Sequence, residues 1–142
     1  MRRLLRPNYV VPSLMLTSIL VGLIGLRLRS PTGGLTIEPS QSACGMVAPG
    51  AILERTFRIT NNAGKAVSLE RVLPTCGCTS AVPGRSRLNA GEATTLTCTV
   101  DLGTRRQSFA IGVTVVYRPD GSQVPSSSVC TITGRINNLI QL

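Results

Sequence analysis

Apolar and polar residues alternate through most of the chain after residue 43, with a period of two rather than 3.6. Between Ala51 and Thr60, Leu53, Phe57 and Ile59 fall on one side, and Glu54, Thr56 and Arg58 on the other. The same period recurs over Ala66 to Leu73, where Val67, Leu69 and Leu73 oppose Ser68, Glu70 and Val72. It is sharpest over Thr94 to Leu102, where Leu96, Cys98, Val100 and Leu102 oppose Thr95, Thr97, Thr99 and Asp101. Phe109, Ile111, Val113, Val115 and Tyr117 make a further face, and Ser128 to Ile136 places Cys130, Ile132 and Ile136 together. Successive side chains on a strand point to opposite faces, so each run predicts a half-buried β-strand. Turn signals separate the runs: Asn61-Asn62-Ala63-Gly64, Asn89-Ala90-Gly91-Glu92 and Arg118-Pro119-Asp120-Gly121. Asn and Gly tolerate the positive φ such turns need. The pattern predicts an all-β, Ig-like antiparallel β-sandwich of about seven strands over residues 43–137, with a short C-terminal tail, 138–142.

The N-terminus departs from this period. An unbroken apolar run, Tyr9 to Leu26, follows Arg2, Arg3 and Arg6 and precedes Arg27 and Arg29. As a helix at about 1.5 Å per residue it spans roughly 27 Å, close to the hydrocarbon thickness of a bilayer. Arg27-Leu28-Arg29-Ser30 is a poor cleavage site, so residues 1–30 read as an uncleaved signal anchor, one transmembrane helix. The heavier positive charge before the run places the N-terminus inside and the remaining chain on the extracytoplasmic side of the cell membrane. Residues 31–42, rich in Pro, Gly and Ser, read as a linker.

Charge changes this picture little. The net charge of the whole chain is +9, but five arginines flank the anchor. From Pro31 onward ten basic and six acidic residues leave +4. Tryptophan is absent and only two Tyr and two Phe are present. With neither stacking aromatics nor a dense basic stripe, nucleic-acid binding is not expected. The chain contains no histidine. That removes His-activated nucleophiles, His acid–base catalysis and His metal ligands. The six carboxylates are scattered, so the sequence does not read as an enzyme, and no cofactor or small-molecule substrate is implied.

The chemistry that remains is in the cysteines at 44, 76, 78, 98 and 130. An odd number permits two disulfides and leaves at least one thiol. Alternation turns Cys98 and Cys130 inward, as small core hydrophobes or a core disulfide, and Cys44 on the first strand could reach Cys130. Cys76 and Cys78 flank Gly77. On an extended strand their sulfurs would share a face. Three readings follow. They are structural, packed or bonded to Cys44 or to each other, where a Cys-x-Cys bridge closes a small, easily reduced ring. They bind copper or zinc as paired thiolates, although zinc would need ligands beyond these two. Or they act in thiol exchange, which needs a nearby cation, with Arg71, Arg85 or Arg87 as candidates. In each reading Gly77 allows a bulge or a close backbone approach.

Phe57 to Gly64, Pro74-Thr75-Cys76-Gly77-Cys78-Thr79, Asn89 to Glu92 and Thr131 to Ile136 together resemble the DUF1573 family of bacterial envelope proteins. Ala90 stands where that family has proline, and Cys44-Gly45 where it has Phe-Gly. The resemblance implies an immunoglobulin-like sandwich related to the ASH and major-sperm-protein folds. It implies an envelope location and leaves activity open. Anchor, strand pattern and missing catalytic set together give the expected role: a membrane-anchored structural or protein-interaction module with an envelope protein as its partner. Thiol-based metal binding or redox work at Cys76 and Cys78 is the alternative.

Overall fold

The computed structural model describes residues 33–137. The signal anchor expected over residues 1–30 and the tail over 138–142 lie outside them. Nine strands follow in order: β1 (Leu35–Glu38), β2 (Gln41–Val47), β3 (Ile52–Asn61), β4 (Val67–Pro74), β5 (Thr79–Pro83), β6 (Arg87–Leu88), β7 (Ala93–Asp101), β8 (Phe109–Pro119) and β9 (Ser126–Ile136). They form a four-stranded sheet, β1-β3-β7-β5, and a five-stranded sheet, β2-β9-β8-β4-β6. No helix occurs among the described residues.

The five long alternating runs became β3, β4, β7, β8 and β9. Their apolar sets meet between the sheets: Phe57, Ile59, Leu96 and Val100 from one, and Val67, Ile111, Val113, Val115 and Ile132 from the other, are all essentially inaccessible. Burying side chains of this size contributes about 1.5–3 kcal/mol each. This aliphatic contact supplies most of what holds the sheets together.

Three features depart from the expectation. First, residues 35–42, read as linker, carry β1 and the start of β2. Leu35 and Ile37 are buried, and the β1 backbone pairs with β3 from Leu35↔Asn61 to Glu38↔Arg58. The run is short and its Pro and Ser mask it. They mark the point where the chain leaves one sheet, passes a cis Glu38–Pro39 peptide, and joins the other. This crossing raises the strand number from about seven to nine, together with the two-residue β6. Second, β2 runs parallel to β9, so the sandwich is not wholly antiparallel. Third, the phase of β4 flips. A bulge lies between Leu69, opposite Tyr117, and Arg71, opposite Val116, with Glu70 as the extra residue. Val72 is therefore turned toward the core, while Leu73, expected inside, is 47% exposed. One added residue exchanges the two faces of everything after it.

The turns formed where they were expected. Gly64, Gly91 and Gly121, one in each predicted turn, have φ of 69°, 79° and 77°. In this region a side chain would be strained.

Candidate functional site

The Cys76–Cys78 segment lies not on a strand but in the turn between β4 and β5, where the chain crosses from the five-stranded to the four-stranded sheet. Hydrogen bonds fix both ends of this turn. The Thr75 amide donates to the carbonyl of Gly112 at 2.8 Å, and the Gly112 amide donates to Thr75 Oγ1 at 3.0 Å. The Thr79 amide donates back to the Cys76 carbonyl at 3.1 Å, closing a four-residue turn. The Asp101 amide, at the end of β7, donates to the Cys78 carbonyl at 2.9 Å.

Within this turn Cys76 and Cys78 are joined by a disulfide, with Cα atoms 5.1 Å apart. Of the arrangements the sequence allows, the bond between the two neighbours is the one present. Both residues are half-buried against the core. The Cys78 amide lies 3.1 Å from Cys76 Sγ, and Thr79 Oγ1 lies 3.7 Å from Cys78 Sγ. Gly77 has no steric need to be glycine. Its φ is not in the left-handed region, and a Cβ placed on it would meet nothing within 4 Å. The turn does not use the bulge or close backbone approach that Gly77 allows, and its tip is open.

A cation does stand over the sulfurs, from a residue the sequence did not single out. Arg105, in the loop between β7 and β8, places Nη2 at 3.0 Å from Cys76 Sγ and 3.7 Å from Cys78 Sγ. The three arginines named from sequence proximity serve elsewhere. Arg87 pairs with Asp120. Arg71 lies on the outer side of β4, and Arg85 adds to the positive field that holds the Glu92 carboxyl below its usual range, after the hydrogen bonds from Asn89. Arg105 lies 29 residues from Cys76, and only the sheet topology brings the two together.

The other cysteines are free thiols. Cys98 on β7 and Cys130 on β9 are completely buried, so the packed reading holds and the core disulfide does not form. Burial, with Cys130 close by, pushes the Cys98 thiol up to about 12. Burial pushes Cys130 up to about 11. Both are protonated and unreactive near neutral pH. Cys44, half-buried on β2, is not bonded to Cys130 and packs beside Gly134. Among the described residues, no three Cys, Asp or Glu side chains are grouped so as to hold a metal ion.

Two surfaces could receive a larger partner. An open groove of about 550 Å³ is lined by Ala43, Gly45 and Met46 of β2 and by Phe109, Gly134 and Arg135. It shares no residue with the Cys76–Cys78 turn. The second is the outer face of the five-stranded sheet. Register sets Leu73, Thr114 and Val129 in one row, and Gly112 and Thr131 in the next. Ala110, Val116 and Thr133 extend the same face, on which Leu73 and Val129 are 47% and 55% exposed. Charges lie at its margins, at Arg71, Arg135, the Glu70–Arg118 pair and the Arg87–Asp120 pair beside Ser68. The outer face of the four-stranded sheet differs: Glu54, Arg58 and Asp101 stand among threonines there.

The family model described as "Protein of unknown function (DUF1573)" matches residues 35–136, well over half of the chain. The chain belongs to this family. The match begins at β1, so the DUF1573 domain includes the strand that composition disguised as linker. No curated protein matches the sequence. Among solved structures the sandwich is similar to the Vibrio cholerae VesB protease, with a TM-score of 0.61 and 15% identity over 75% of this chain and 33% of that one. It is similar to the ASH / PapD-like domain 7 of human CEP192, with a TM-score of 0.58 and 15% identity over 75% and 87%. It is also similar to the E. coli chaperone DraB, with a TM-score of 0.55 and 13% identity over 76% and 57%. The chain thus spans a third of the protease and just over half of the chaperone. These likenesses are of fold: the DUF1573 domain shares its two-sheet β-sandwich with them.

Proposed function

We propose that this DUF1573 domain is a protein-interaction module, held at the extracytoplasmic side of the cell membrane by the apolar N-terminal segment, and that it is not a hydrolytic enzyme. The observation that carries the reading is the outer face of the five-stranded sheet. Across β4, β8 and β9 it presents Leu73, Ala110, Thr114, Val116 and Val129 with no charge in its interior. Contiguous exposed apolar surface of this kind marks protein-interaction sites. The scattered carboxylates and the absence of histidine supply the other half: the chain has no acid–base set for hydrolysis.

Site-specific photo-crosslinking at Thr114 in intact membranes tests the reading. The expected result is a discrete crosslinked protein that disappears when Leu73 and Val129 are both changed to Glu, while the fold is retained. A reporter fused after Leu142 should read as extracytoplasmic. A cytoplasmic reporter, or a purified domain that turns over a substrate and crosslinks to nothing, would overturn it.

A further inference from the structure

The Cys76–Cys78 bond does little for the fold. A bridge between residues two apart constrains almost none of the unfolded chain. The turn it spans is held independently by the Thr75–Gly112, Thr79–Cys76 and Asp101–Cys78 hydrogen bonds. Yet the sulfurs carry a guanidinium at 3.0 Å, and no side chain covers the tip of the turn at Gly77. The two sulfurs are also unequal. Cys76 Sγ has Arg105 Nη2 at 3.0 Å and the Cys78 amide at 3.1 Å, whereas Cys78 Sγ has the same nitrogen and a hydroxyl each at 3.7 Å. Negative charge is better held on Cys76.

We propose that Cys76–Cys78 is a thiol–disulfide exchange centre that accepts two electrons from a dithiol, with Cys76 as its stabilised thiolate and Arg105 as the residue that positions the charge. One thiolate of the dithiol attacks Cys78 Sγ. The Cys76–Cys78 bond breaks, its electron pair leaves on Cys76 Sγ under Arg105, and a mixed disulfide forms on Cys78. The second thiolate of the dithiol then attacks its own partner sulfur, and Cys78 departs and takes up a proton. The dithiol ends as its disulfide, the protein ends with one thiolate and one thiol, and one proton passes to solvent. The leaving-group thiolate sets the direction of attack, because the better stabilised sulfur leaves faster.

The test uses the full chain with dithiothreitol and with a reduced Cys-x-x-Cys protein such as thioredoxin, at equal dithiol concentration. Acid quenching and peptide mass mapping should find the transient adduct on Cys78. Reduction by thioredoxin, with or without dithiothreitol, would identify a protein dithiol, and reduction by dithiothreitol alone a small one. In the reduced protein at pH 6.5, iodoacetamide should modify Cys76 about tenfold faster than Cys78. Arg105→Gln should slow Cys76 modification by about tenfold and leave Cys78 within about twofold, and Arg105→Lys should restore most of the rate. An adduct on Cys76, resistance to both dithiols, or equal Cys76 rates in the wild type and Arg105→Gln would overturn the proposal.

Discussion

The side-chain amide of Asn61 donates to the carbonyl of Leu88 at 3.1 Å, joining the end of β3 to the end of β6 across 27 residues of sequence. The same nitrogen reaches the carbonyls of Lys65 at 2.7 Å and Asn89 at 3.0 Å, and the Ala63 amide donates to Asn61 Oδ1 at 2.9 Å. A fully buried polar side chain thus stitches together two turns that the sequence presents as separate. Asn61→Leu would leave these carbonyls unpaired inside the protein, and each such loss costs about 1–3 kcal/mol. The expected loss of stability is about 3 kcal/mol, read as a lowered urea midpoint with an unchanged m-value. Asn62→Leu, whose amide reaches only the exposed Thr36 hydroxyl, should stay within about 0.5 kcal/mol.

The fold was legible wherever the alternation ran unbroken. β3, β7, β8 and β9 lie close to where Phe57, Leu96, Val113 and Ile132 put them, because a one-residue slip would expose a whole apolar set. What could not be read depends on pairing. The partner that keeps Leu35 and Ile37 buried is β3, and four residues beside Pro39 carry too little pattern to announce a strand. The candidate site was half legible. Its two sulfurs and the glycine between them stand out in sequence. Arg105 does not, because contact between loops 29 residues apart is a property of the sheet order.

The buried thiols give stability a pH dependence. An exposed cysteine ionises at about 8.5, whereas Cys130 and Cys98 are pushed up to about 11 and about 12, chiefly by burial. The unfolded chain therefore loses these protons first as pH rises. The contribution is fully present below about pH 8.5 and is lost as pH climbs toward the folded values. Each thiol should remove about 1 kcal/mol per pH unit over that range. Urea midpoints between pH 8 and pH 10.5, compared with a Cys98→Ala/Cys130→Ala double variant, isolate the effect. A double variant with the same slope as the wild type would show that the thiols do not carry it.

Two glycines near functional surfaces should respond differently to alanine. A Cβ on Gly77 meets nothing within 4 Å, so Gly77→Ala should change stability by less than about 0.5 kcal/mol. A Cβ on Gly134 would come within 2.5 Å of Phe109 Cζ and 3.3 Å of Cys44 Cβ. The Phe109 ring lies over the glycine and forms part of the groove beside β2. Gly134→Ala should therefore cost about 1–3 kcal/mol through overpacking and rearrange that groove. Thermal unfolding of the two variants measures the contrast.

The bulge at Glu70 makes the sharpest claim about the interaction face. Alternation alone turns Leu73 inward and Val72 outward, whereas the extra residue reverses them, so that Leu73 pairs with Thr114 on the outer face. Val72→Asp would then drive a carboxylate toward the core and should destabilise by about 3 kcal/mol or more, or prevent folding. Leu73→Asp should leave the unfolding free energy, read from urea titration, within about 0.5 kcal/mol of the wild type, because the side chain already faces solvent. The reverse ranking of the two variants would mean that β4 continues without a bulge. The uncharged row of Leu73, Thr114 and Val129, on which the proposed partner would sit, would then not exist.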